Sequence, residues 1–183
     1  MAKRDKNIIT LGSGIPYIMA YTDTVPSVEE ICVEENRLGY VKGGAALEYT
    51  EETYEEKDDL GYVSKIITTT EEALLRLGLL TWNGTTLQKL IDRCQVEEKD
   101  GKRITKIGGA GNSQGTYYVV CFHHMDKKDG DLYILIVGRN TAGATLTLSA
   151  EEGTVVEPEF KAMPHDEDGT MVQLIEEIPT TTT

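Results

Sequence analysis

The chain has 183 residues, 39% of them hydrophobic and 27% charged; 31 acids face 18 bases, for a formal charge of −13 and a pI near 4.6. That length suits one domain with a real core, and the composition lies outside the disordered range. The sign of the charge excludes tight binding to a phosphate backbone, which needs clustered Lys and Arg, but not a surface that nucleic acid must touch without sticking.

The opening stretch, MAKRDKNIIT, is basic, but no long apolar run follows it. No secretory leader is expected, and no run is long enough to span a membrane. PYIMAYT (16–22) and SVEEICVEE (27–35) read as two short strands between turn residues. GGAALEYTEETYEEKDD (43–59) begins with small residues and then packs seven acids and one lysine into residues 48–59. Its early part alternates, with Glu48, Thr50 and Glu52 against Leu47, Tyr49 and Glu51. GYVSKIITT (61–69) alternates again, placing Val63, Lys65 and Ile67 on one face.

Helical spacing comes next. TTTEEALLRLG (68–78) offers a capping box from Thr69 to Glu72, an apolar stripe of Ala73, Leu74 and Leu77, and Gly78 as a stop. Leu74 and Leu77 are therefore expected to pack a helix against the sheet, with Trp82 as an anchor at its end. After Asn83–Gly84, the segment TTLQKLIDRC places Leu87, Leu90, Ile91 and Cys94 at i, i+3, i+4 and i+7, with Thr85 and Gln88 as a capping pair. The second half returns to strand and turn: RITKIGG (103–109), a glycine-rich loop, TYYVVCFHH (116–124), LYILIVG (132–138), ATLTLSA (144–150), EPEFKAMP (157–164) and TMVQLIEEI (170–178). LYILIVG is apolar on both faces and so predicts a central strand. The expected class is mainly β, an antiparallel β-sandwich or barrel with one or two short flanking helices.

No stretch carries a catalytic or ligand constellation. The loop Gly109–Gly115 misses the dinucleotide spacing, and no helical pattern follows it. His123 and His124 are adjacent, so in a strand they point to opposite faces and cannot share a metal. HDEDG (165–169) lacks the alternating ligands of a calcium loop and reads as a turn. Asn83-Gly84-Thr85 fits a glycosylation sequon but reads as a turn. Cys32, Cys94 and Cys121 are odd in number and set among apolar neighbours, so they read as small buried hydrophobes in a reducing compartment, with a disulfide or a reactive thiol as the alternative. No cofactor and no enzymatic activity are expected.

Three blocks, KGGAALEYTEETYEEKDDLGYVSK, TEEALLRLGLLTWNG and EFKAMPHDEDGTMVQLIEE, in this order from about residue 43 to 177, resemble the major tail tube proteins of long-tailed bacteriophages. The most distinctive is the last, with Phe160-Lys161-Ala162, Pro164 and Asp168-Gly169-Thr170. The resemblance implies a β-sandwich subunit, hexameric rings stacked into a hollow tube, a long loop or hairpin and terminal arms bridging rings, and double-stranded DNA passing through the lumen. It also implies a place in the virion tail after assembly in the host cytoplasm, with tape measure, tail terminator and tail tip or baseplate proteins as partners. Contractile-tail tubes, phage-tail-like bacteriocins and type VI secretion tubes share this fold, so a tube with another cargo remains an alternative. An acidic β-sandwich binding module is a third.

On this reading residues 1–178 form one tail-tube domain. An N-terminal arm occupies about 1–15 and an extended inter-ring loop about 50–66, and 179–183 are a C-terminal tail. Glu48, Glu51, Glu52, Glu55, Glu56, Asp58 and Asp59 are the candidates for the lumen or for inter-ring pairing. Lys3, Arg4 and Lys6 of the arm are their candidate partners. An acidic bore repels duplex DNA weakly over roughly a Debye length, ~8 Å at physiological salt, and leaves a layer of water and ions in which DNA slides. The simpler alternative is an ordinary solvated acidic loop.

Overall fold

The computed structural model describes residues 9–178. Nine strands lie among them: β1 (Ile15–Ala20), β2 (Val41–Lys57), β3 (Ser64–Leu79), β4 (Cys94–Lys99), β5 (Lys102–Ile107), β6 (Tyr118–His124), β7 (Leu132–Asn140), β8 (Glu159–Ala162) and β9 (Val172–Glu176). Two short helices, α1 (Val28–Ile31) and α2 (Gly84–Leu90), flank them. Every strand pairing is antiparallel. Seven strands form one sheet in the order β1-β6-β7-β8-β3-β2, with β9 also on β7, and β4 and β5 form a separate hairpin. The class is the one expected, antiparallel and mainly β with few short helices.

β7 is central, as its two apolar faces foretell. One edge pairs with β6, and the other pairs with β9 along Leu132–Ile136 and with β8 along Gly138–Asn140. Side chains alternate across it, so both faces have to be covered. On one face Ile136 joins Ile18, Val120 and Phe122 in a cluster with Leu75, Leu77, Phe160 and Leu90. The sheet therefore curls until β3 and β8 pack over β1 and β6. On the other face Val119, Cys121, Leu135 and Val137 pack under Ile31 of α1. Each fully buried Leu, Ile or Phe here contributes roughly 1.5–3 kcal/mol.

Four local expectations are corrected. The segment 68–78 is not a helix but lies within the 16-residue strand β3. Ala73, Leu74 and Leu75 are all buried because β3 runs between β2 and β8, and a strand covered on both faces shows a continuous apolar run that helical spacing also fits. Leu74 and Leu77 are thus sheet residues on opposite faces of the strand, not a helical stripe. SVEEICVEE holds α1 followed by a 3-10 turn, not a strand. Its start is a capping box: Glu30 N donates to Ser27 Oγ at 3.3 Å, and Ser27 N donates to Glu30 Oε2 at 2.8 Å.

The helix expected over 85–94 is shorter and differently capped. Asn83 is the N-cap, its Oδ1 accepting from Thr86 N at 3.0 Å, and Cys94 already opens β4. ATLTLSA, expected as a strand, has none of the regular pairing of one. The β4–β5 hairpin turns at Asp100 and Gly101, both with positive φ (52° and 71°), the tight two-residue turn that suits a twisted hairpin.

His123 and His124 do lie on opposite faces of β6. His123 stacks on Tyr133 with ring centroids 4.3 Å apart, and its Nε2 lies 2.7 Å from Asp131 Oδ2. His124 is buried with Nδ1 2.8 Å from Ser13 O. Among the described residues no helix is long and apolar enough to cross a membrane.

Candidate functional site

β2 and β3 begin inside the sheet and leave it. At their base, Leu47, Leu75 and Phe160 stand in register across β2, β3 and β8 on the core face. Pairing to β8 ends at Leu74, opposite Lys161. Beyond that point β2 and β3 pair only with each other, and every residue from Glu48 to Glu71 is exposed. From Tyr49 to Lys57 the ribbon projects roughly 26 Å, at ~3.3 Å per residue. The expected loop over about 50–66 is thus largely strand. Regular pairing runs to Lys57 opposite Ser64, and only residues 58–63 turn.

Two irregularities shape the ribbon. Near its root, Gly43 and Gly44 adopt φ of 91° and 77° and put two extra residues into β2 between Val41 and Ala45. Farther out, the register steps from Glu52 opposite Thr70 to Thr53 opposite Thr68, leaving Thr69 as a bulge. Thr69, expected as a helix cap, instead donates its hydroxyl to Glu52 O at 3.1 Å. The bulge keeps Ile66 on the side of Glu71 and Ala73, and Ile67 on the side of Thr70.

The seven acids do different work. Glu48 is held at the root, accepting from Arg76 Nη1 at 2.5 Å, while Arg76 Nε donates to Glu159 Oε2 at 2.6 Å. Beside them Lys161 donates to Glu72 at 2.5 Å. These side chains share one face, and their stems cover Leu74. Glu51 stands directly opposite Glu71, an unfavourable pairing of like charges. The Tyr49 hydroxyl lies between them, 2.8 Å from Glu51 and 3.1 Å from Glu71, and these contacts raise its pKa. Glu55 pairs with Lys57 at 3.0 Å, and Glu56 accepts from the Tyr54 hydroxyl.

Asp58 builds the turn, accepting from Val63 N at 2.7 Å and Leu60 N at 3.2 Å, bonds that hold its carboxyl below the usual range. Among the described residues the side chains of Glu52 and Asp59 have no partner. Lys3, Arg4 and Lys6 lie outside the described residues. Trp82 follows β3 rather than a helix; it is half-buried, and its Nε1 donates to Thr154 O at 3.3 Å.

The ribbon also carries what counting acids misses. Tyr54, Leu60, Tyr62, Val63, Ile66 and Ile67 are 47–83% exposed on a structure with no core of its own. The only cue in the sequence is the alternation of GYVSKIITT, which shows a strand but not that neither face is covered. The ion pairs of Arg76 and Lys161 had no local signal, because Glu159 and Lys161 arrive from the far end of the chain. Among the described residues no three His, Cys, Asp or Glu side chains are placed to hold a metal. No family model matches the sequence, and no curated protein matches it.

Proposed function

We propose that the chain is a self-assembling tube subunit of the tail-tube kind, with six copies closing each ring, rings stacking into a hollow conduit, and double-stranded DNA as the cargo. The observation that carries this reading is the β2–β3 ribbon. A two-stranded ribbon alone in water is marginal. This one exposes six large apolar side chains, with Tyr54 and Ile67 on one face and Ile66 on the other, which a partner lying along the ribbon would cover. The outer edge of β2 is unpaired in the sheet order, a template on which another strand can add. A second copy of the chain meets both needs at once, covering the ribbon and continuing the sheet.

The division of labour among the acids refines the proposal. Glu48 is neutralised by Arg76, so it belongs to the subunit's own framework. Repulsion of a passing polyanion, or pairing with the next ring, falls to the acids beyond it, above all Glu52 and Asp59. Negative-stain microscopy of the purified protein tests the reading. Rings or tubes with a central hole are expected. A monodisperse monomer at high concentration, with no rings at any salt, would overturn it.

A further inference from the structure

Cys32 and Cys121 are 89 positions apart in sequence, and their sulfurs are 3.8 Å apart in space. They meet beneath α1, in the cluster where Ile31 covers Val119, Leu135 and Val137. Cys121 is fully buried in β6, whereas Cys32, the C-cap of α1, is only half-buried. We propose that these two thiols are a disulfide-forming pair, oxidised by exchange with a small-molecule disulfide, and that the bond staples α1 to the central sheet. This departs from the reading of all three cysteines as inert packing. It is independent of any role in a tube.

The geometry asks for little movement. A disulfide holds its sulfurs ~2.05 Å apart, so the pair has to close by roughly 1.8 Å. One partner is fixed in a core strand. The other ends a helix of four residues and is followed by a 3-10 turn, where backbone adjusts more readily than in the sheet. The two thiols also differ in role. Their mutual hydrogen bond lowers the pKa of Cys32, and the same contact together with burial raises that of Cys121. Thiolate character and access therefore both favour Cys32 as the attacking group.

Exchange proceeds in two steps. The Cys32 thiolate attacks one sulfur of glutathione disulfide, forming a mixed disulfide and releasing one glutathione thiolate. Cys121 then gives its proton to solvent, and its sulfur displaces the second glutathione from Cys32. The two protein thiols lose two electrons, and glutathione disulfide takes them up as two thiols. The loop closed is long, the case in which a cross-link constrains the unfolded chain most.

The test uses the whole reduced chain, folded, incubated with glutathione disulfide at mildly alkaline pH, quenched with an alkylating agent and digested for mass spectrometry. The expected product is an intramolecular Cys32–Cys121 peptide, with Cys94 still free and the urea midpoint shifted upward relative to reduced protein. Cys121→Ser is expected to stop at a glutathione adduct on Cys32. Should that variant not fold, Cys32→Ser, at the half-exposed position, is expected to leave Cys121 and Cys94 unmodified. A stable adduct on wild-type Cys32 with Cys121 free, bonds only between chains, or no reaction at either thiol would overturn the proposal.

Discussion

The two halves of β3 share one partner strand and have opposite surroundings. Ala73, Leu75, Leu77 and Leu79 are buried between β2, β8 and the curled sheet, whereas Ile66 and Ile67 are 62% and 47% exposed on the ribbon. The same strand, with the same partner, is core at one end and bare surface at the other. What an apolar residue does here is thus set by whether a third strand is present, not by its own propensity. The inner half holds the subunit together, and the outer half is free to be spent on another molecule.

That contrast is broken most decisively by truncation. Leu75→Ala should cost about 2–5 kcal/mol and Phe160→Ala about 3–5 kcal/mol, since each leaves a cavity at the junction of β3 and β8. Ile66→Ala and Ile67→Ala should stay within about 0.5 kcal/mol, because nothing packs on them in the single chain. Urea denaturation of the four variants under non-associating conditions measures the difference. Equal losses in both halves would show that the ribbon is buried in the isolated chain.

Excision separates the halves directly. Replacing residues 52–70 by Asn-Gly joins Glu51 and Glu71 through a turn that suits a hairpin. The shortened chain should unfold within about 1 kcal/mol of the parent, since only exposed residues are lost. It should no longer associate in sedimentation velocity under conditions in which the parent does. Retained assembly would move the interface off the ribbon, and a large loss of stability would deny the ribbon its independence from the core.

How much of this was legible in the sequence also divides along β3. The strand-and-turn rhythm of the second half and the central place of LYILIVG were readable, because alternation and a two-faced apolar run report directly on sheets. The inner half of β3 was not. Thr69, Glu72, Leu74 and Leu77 satisfy the helical template, and only the arrival of β8 from residue 159 decides against it. SVEEICVEE failed in the reverse direction: turn residues flank it as they would a strand, but Ser27 and Glu30 cap a helix locally. ATLTLSA alternates cleanly and finds no partner strand, and an alternating pattern without pairing is not a strand. The acids around residue 50 stand out in the sequence, but it does not say that Glu48 meets Arg76 while Glu52 meets nothing among the described residues.

A smaller effect is expected where the ribbon leaves the sheet. Lys161 and Glu72 are half-exposed, so Lys161→Met should cost about 0.2–1 kcal/mol, less as salt is raised. Measuring that variant at low and high ionic strength tests whether the charged row is a framework element or only surface decoration. No cost at either ionic strength would mean that Lys161 acts through packing over Leu74 instead, since the Met stem keeps that cover.

The smallest expected effect lies at the tip, and its sign follows from Asp58. Backbone N–H groups, Val63 first, favour the ionised carboxylate and hold its pKa below the usual value of about 3.9. A group depressed in this way contributes stability that is complete above the unfolded pKa and is lost as pH falls through the folded one. The turn at residues 58–63 should therefore loosen only below about pH 4. The observable is amide exchange at Leu60 and Val63, whose N–H groups bond to the Asp58 carboxylate. Exchange there should speed up on acidification relative to the trend of neighbouring exposed amides. Asp58→Asn should show little of this pH dependence while keeping the ribbon pairing, since the Asn Oδ1 still accepts from Val63 N without titrating, although its Nδ2 does not accept from Leu60 N. If the two proteins gave the same pH profile, the carboxylate would not be what closes the tip, and the ribbon's outer end would have to be shaped by its strand pairing alone.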